Sequence, residues 1–122
     1  MRWLDHPLAP KAATLLCRID AVPDGGCKEL NYGHGEAAFR LLLYRAAELV
    51  RAFVNCCPHF SLPLNARPDQ FLLLDDGRIM CAHHCAVFRL EDGHCLDGPA
   101  KGLNLEVVPV AIMGDRIYMG QR

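Results

Sequence analysis

An all-β domain is what this 122-residue chain predicts, on two observations. Its apolar residues fall into short runs or alternations, and Gly, Pro and Asp punctuate those runs at short intervals. Short strands separated by frequent turns are the signature of a sandwich or barrel-like β domain. The first candidate strand is "ATLLCRI" (13–19), followed by the turn "PDGG" at 23–26. "FRLLLY" and "VRAFVN" come next; "ELVRA" has helical propensity, but in this setting it reads as the entry to a strand. Residues 61–68, with Pro63 and Pro68, read as a loop. "FLLL" and "RIMC" flank "DDG" at 75–77, a hairpin turn in which Asp tolerates the left-handed region and Gly supplies positive φ. "VFRL" leads into a second such turn, "EDG" at 91–93, and then "GPAKG" at 98–102. "LEVVPV", the turn "MGD" and "RIYM" complete the series.

The length suits one domain over residues 1–122. With 52% hydrophobic residues, 22% charged residues and a net charge of −1, the composition is ordinary for a globular protein. A nucleic-acid binder would carry a basic excess, so no nucleic-acid partner is expected. The longest apolar runs, "LLLY" and "FLLL", are far too short to span a bilayer, so no membrane association is expected. "MRWLDHPLAPKAA" interrupts its apolar residues with Asp5, His6, Pro7 and Pro10, so no secretory signal is read there. Seven cysteines, an odd number, fit a reducing compartment better than a disulfide scaffold, and a cytoplasmic location is the expectation.

Those cysteines carry the chemistry. "NCCPHFSLPL" places Cys56, Cys57 and His59 together, and "MCAHHCAVF" places Cys81, His83, His84 and Cys85 together. Each group follows the end of a candidate strand, so two loops can converge on one site. Thiolate and imidazole together are the usual ligands of zinc and of iron. Tetrahedral zinc takes Cys and His mostly in pairs of one kind, C-x(2–4)-C and H-x(3–5)-H. Here each loop has one of each, as C-x-H (Cys57, His59) and C-x-x-H (Cys81, His84). That pattern suits a binuclear centre with Cys on one iron and His on the other. A structural zinc site remains the alternative.

The chain resembles the Rieske-type 2Fe-2S proteins, in particular their small soluble ferredoxin-like members. That family's pattern is C-x-H, a linker, C-P-x-H-G-x-x-F and then G-P. The chain reads "CPH", a connector from Phe60 to Met80, and "CAHHCAVFRLEDGHCLDGPAKGLNLEVVPV", and the likeness extends from about Leu15 to Tyr118. The resemblance implies a Rieske iron–sulfur fold, with short antiparallel strands in stacked sheets and two cluster-binding loops at about 56–62 and 81–100. It implies one 2Fe-2S cluster, with Cys57 and Cys81 on the inner iron and His59 and His84 on the outer one. Cys56 could compete with Cys57 as C-x-x-H with His59, and His83 or Cys85 could compete on the second loop, although packing thiols and a solvated ring are the expected readings of these three; Cys17, Cys27 and Cys95 match no ligand position, and His6, His34 and His94 are expected at the surface. Gly98–Pro99–Ala100 resembles the segment that covers the cluster. The implied role is one-electron transfer from a reductase to a terminal oxygenase through transient contacts, as a monomer and without catalysis of its own. A cluster-based sensor is a further alternative. The small subunit of assimilatory nitrite reductase is a related possibility with the same fold.

The departures from the pattern bear on redox behaviour. Ala82 stands where the family has Pro, and Cys85 where it has Gly, which puts a side chain at a tight point of the loop. Leu62 and His83 occupy the positions that carry a loop-bracing disulfide in the respiratory branch, so that disulfide cannot form. Ala86 and Phe88 replace a Ser and a Tyr that donate hydrogen bonds to sulfur in that branch. Such bonds stabilise the electron-rich reduced state, so their absence predicts a potential at the low end of the Rieske range.

Overall fold

The computed structural model describes residues 3–58, 61–74 and 77–121. Its strands run in the order β1 (Leu15–Arg18), β2 (Cys27–Tyr32), β3 (Phe39–Ala46), β4 (Leu49–Val54), β5 (Leu72–Leu74) and β6 (Arg78–Met80). They continue with β7 (Val87–Arg89), β8 (Cys95–Asp97), β9 (Val107–Val108), β10 (Val110–Met113) and β11 (Arg116–Met119). Among the described residues there is no α-helix, only single 3-10 turns at Trp3–Asp5, Ile19–Ala21 and Gly35–Ala37. Among the described residues no helix is long and apolar enough to cross a membrane. The all-β expectation therefore holds.

Among the described residues three antiparallel sheets form, ordered β1-β11-β10, β2-β3-β4-β9 and β5-β6-β7-β8. The second sheet lies between two cores, and β3 explains how. Successive side chains on a strand point to opposite faces, yet Leu41, Leu42 and Leu43 are all fully buried. Phe39, Leu41 and Leu43 pack with Val50, Ala52 and Val108 against Ile117 and Met119 of the β1-β11-β10 sheet. Leu42, with Phe53 from β4, faces the other way and packs on Ile79, Phe88 and Cys95 of the small sheet. A strand covered on both faces reads as a continuous apolar run, which is why "FRLLLY" does not alternate.

"LEVVPV" forms two strands where one was expected. Pro109 has no N–H to give to a ladder, and the chain changes sheets there: Val107 and Val108 pair with β4, whereas Val110–Met113 pairs with β11. The Pro109 carbonyl still accepts from the Gly120 N–H at 2.8 Å, which ties the crossover down. The "EDG" turn joins antiparallel β7 and β8, with Gly93 at φ 80° and its N–H donating to the Arg89 carbonyl at 2.6 Å. β5 and β6 also pair antiparallel, as the "DDG" turn predicts, although Asp75 and Asp76 lie outside the described residues.

Candidate metal centre

Two loops leave the strands that the sequence points to. The first follows β4, and the second follows β6. Each begins with a buried cysteine, Cys57 and Cys81, both 1% exposed. The two loops close by the same pair of backbone hydrogen bonds. The Cys57 carbonyl accepts from the Ser61 N–H (2.8 Å), while the Cys57 N–H donates to the Leu62 carbonyl (2.7 Å). In the second loop the Cys81 carbonyl accepts from the Cys85 N–H (3.0 Å), and the Cys81 N–H donates to the Ala86 carbonyl (2.7 Å). The fifth residue of each loop turns the chain through the left-handed region: Ser61 at φ 58° and Cys85 at φ 60°. Two equivalent turns thus present two equivalent thiols. A further bond, from the Ala82 N–H to the Leu64 carbonyl at 2.8 Å, joins the loops directly.

Cys57 and Cys81 belong to one packed core with Leu64, Ile79, Ala86, Phe88, Ala100 and Leu105. Burying a thiol pair among apolar side chains keeps water away from whatever they bind. Ala86 and Phe88 are fully buried in that core, so the side chains around the thiols offer no donors from these two positions. Gly98 sits at φ 91°, and a Cβ there would lie 2.8 Å from the Ala86 Cα and 3.1 Å from the Cys85 carbonyl oxygen. Gly98 therefore packs backbone against backbone on the second loop.

The other sequence candidates separate by position. His84, His83 and Cys85 are exposed on the second loop. His83 lines a cleft with Glu29, Arg40 and Pro63, and Cys56 lines a neighbouring cleft with Phe39, Arg40 and Leu62. Burial pushes the Cys56 thiol up, against a smaller opposing effect from its hydrogen bond with Ser61. His59 lies outside the described residues. No group of three or more His, Cys, Asp or Glu side chains within metal-binding reach occurs among the described residues. No disulfide joins any of the seven cysteines. Cys27 and Cys95 are core thiols: burial pushes Cys27 up to about 12, so it stays protonated, and Cys95 donates to the Asp97 carbonyl at 3.2 Å. His34 is exposed as expected, but His6 is half-buried edge-on to Phe39 (5.3 Å between ring centres), and His94 is half-buried against Asn104 (2.7 Å).

Residues 12–109 match the Rieske [2Fe-2S] domain family. The chain belongs to that family. As a Rieske domain it has one 2Fe-2S cluster as its cofactor. The donor set fits that group: two buried thiols on matched loops suit the thiolate-bound iron, and an exposed imidazole three residues after Cys81 suits the other. Among solved structures, the ferredoxin of carbazole 1,9a-dioxygenase from Nocardioides aromaticivorans IC177 is 18% identical at a TM-score of 0.72, covering 92% of this chain and 100% of that one. A complex of reduced oxygenase and oxidised ferredoxin in carbazole 1,9a-dioxygenase is matched at 20% identity and a TM-score of 0.70, covering 91% of this chain and 94% of that chain. The terminal oxygenase of carbazole 1,9a-dioxygenase from Novosphingobium sp. KA1 is matched at 17% identity and a TM-score of 0.70, covering 91% of this chain but 31% of that one. Likeness at these identities is likeness of fold. No curated protein matches the chain.

The sequence missed one group of residues that the structure brings beside the site. Asn55, Asn65 and Glu29 are buried and hydrogen-bonded to one another behind the first loop. Isolated Asn and Glu residues carry no spacing signal, so nothing in the sequence marks them as partners.

Proposed function

We propose that this Rieske domain is a one-electron carrier, with Cys57 and Cys81 holding one iron and His59 and His84 the other. The observation that carries the reading is the pair of matched loops, each burying its cysteine at 1% exposure in a common apolar core while His84 stays exposed. When bound, the 2Fe-2S cluster supplies a centre that takes up and releases one electron at a time. The buried thiols exclude water from their side of it. His84 presents its ring at the surface, where a redox partner approaches, and a weak, small contact suffices for such a transfer. His83 and Cys56 line clefts to which neither Cys57 nor Cys81 contributes, which supports their role as neighbours.

The electron comes from a reductase and goes to a terminal oxygenase. This reading is supported by a ferredoxin covered over 100% of its length and a chain of an oxygenase–ferredoxin complex covered over 94%, against 31% for the terminal oxygenase. The chain itself performs no further chemistry, functions as a single domain over residues 1–122 and works as a monomer. Seven cysteines without a disulfide suit the reducing cytoplasm.

Ligand replacement tests this reading. His84→Ala is expected to abolish the visible 2Fe-2S chromophore and the bound iron, whereas His83→Ala, Cys56→Ala and Cys85→Ala retain both. A chromophore that survives loss of His84 and disappears with His83 contradicts the assignment on the second loop. Zinc in place of iron in the freshly purified protein contradicts the carrier reading altogether.

A further inference from the structure

Glu29, Asn55 and Asn65 are the buried polar side chains among the described residues, and all three lie in one hydrogen-bonded chain. We infer that this chain is the brace that sets the two cluster loops relative to each other, in the absence of a disulfide between them; the inference rests on the assignment of Cys57 and Cys81 as ligands.

The connectivity runs from sheet to loop to loop. Glu29, on β2, accepts from the Asp69 N–H at Oε1 (2.9 Å) and from Asn65 Nδ2 at Oε2 (3.0 Å). Asp69 returns a bond by accepting from the Glu29 N–H (2.9 Å), so the strand edge and the connector are clasped twice. Asn65 Nδ2 also donates to the Arg67 carbonyl (2.9 Å), and Asn65 Oδ1 accepts from Asn55 Nδ2 (2.8 Å). Asn55 Oδ1 accepts from the Leu64 N–H (2.9 Å). The Leu64 carbonyl then accepts from Ala82, the residue after Cys81, while Asn55 itself is two residues before Cys57.

The direction of every bond is fixed by groups that have one role only. The Leu64 N–H can only donate, which places the Asn55 oxygen toward it. The Arg67 carbonyl can only accept, which places the Asn65 nitrogen toward it and leaves its oxygen for Asn55. Glu29 must receive a donor on each oxygen, and an ionised carboxylate is the acceptor-only side chain that does so. A buried polar chain with every member satisfied rigidifies what it connects, and one broken link leaves a desolvated group without a partner. Leu64, fully buried in the same core as Cys57 and Cys81, is the point through which the brace reaches the thiols. Glu29, Asn55 and Asn65 are thus positioning residues for the cluster.

The test uses the full chain with its cluster and two variants. Glu29→Gln keeps the shape but turns one acceptor into a donor facing a donor; Asn55→Leu removes both of its links. Amide hydrogen exchange at Leu64 and Ala82 is expected to accelerate roughly tenfold or more in each, the effect of one buried bond lost. Exchange in the β10–β11 hairpin should stay as in the unmodified protein. The electron paramagnetic resonance spectrum of the reduced cluster should shift its g values, a change that general loosening elsewhere would not produce. Unchanged protection at Leu64 and Ala82, acceleration by the same factor in the β10–β11 hairpin, or an unaltered spectrum in both variants overturns the brace. An unmodified chain that binds no iron overturns the cluster reading instead, and the exchange arm then decides the brace alone.

Discussion

Cys85 holds φ 60° and Ser61 φ 58°, at the same place in two loops with the same hydrogen bonds. The left-handed region costs a residue with a Cβ about 1–2 kcal/mol. Replacing Cys85 with Gly removes that strain, and the extra freedom of Gly in the unfolded chain takes back about 0.4–1 kcal/mol. Cys85→Gly is therefore expected to stabilise the protein by about 0.5–1 kcal/mol, read as a melting temperature higher by a few degrees. An unchanged or lower melting temperature would mean that the thiol makes a compensating contact. At this scale the sequence was highly legible where chemistry sets spacing. Cys57 and Cys81 stood out because thiols and imidazoles at C-x-H and C-x-x-H have few other uses, and both proved buried at one core. The bracing residues Glu29, Asn55 and Asn65 were illegible, because their partnership depends on a fold that brings residues from β2, the end of β4 and the connector together.

Strands were legible to the extent that their burial follows a simple pattern. β3, β4 and β11 were read because long apolar runs or clean alternation mark them. β2 was not, because one of its inward positions is Glu29, and a charged residue at a buried place hides the alternation. β8 carries no apolar run, because its three residues end in the exposed, charged Asp97. The loop elements make a firmer prediction. Gly98 is held where a Cβ would stand 2.8 Å from the Ala86 Cα, and its φ of 91° is one that other residues rarely adopt. Backbone cannot yield as a flexible side chain does, so Gly98→Ala must displace the 98–100 segment. The expected loss is about 2 kcal/mol or more in chemical denaturation, with faster bleaching of the chromophore on standing. Wild-type bleaching in a destabilised Gly98→Ala protein would show that this segment does not protect the cluster.

At the scale of the whole molecule, one sheet separates two cores among the described residues, and one of them holds both cysteines proposed as ligands. The β1-β11-β10 side packs Trp3, Phe39, Ile117 and Met119 as an ordinary apolar interior. The other side buries Cys57 and Cys81 with Phe88, Ala86 and Ala100, a setting without side-chain donors from Ala86 or Phe88. Rieske centres span roughly −150 to +300 mV, and fewer hydrogen bonds to sulfur place a centre low in that span. The expected midpoint is between about −200 and −50 mV near neutral pH, measured by voltammetry; a value above about +100 mV contradicts it. A mixed set of thiolate and imidazole ligands is what distinguishes the proposed centre, and pulsed electron paramagnetic resonance of the reduced protein, grown with isotope-labelled histidine, reads that set directly. Two histidine nitrogens coupled to the cluster are predicted, with one coupling absent in any cluster that His84→Ala still retains. A signal with no histidine coupling, as from a cluster held by thiolates alone, would contradict the account.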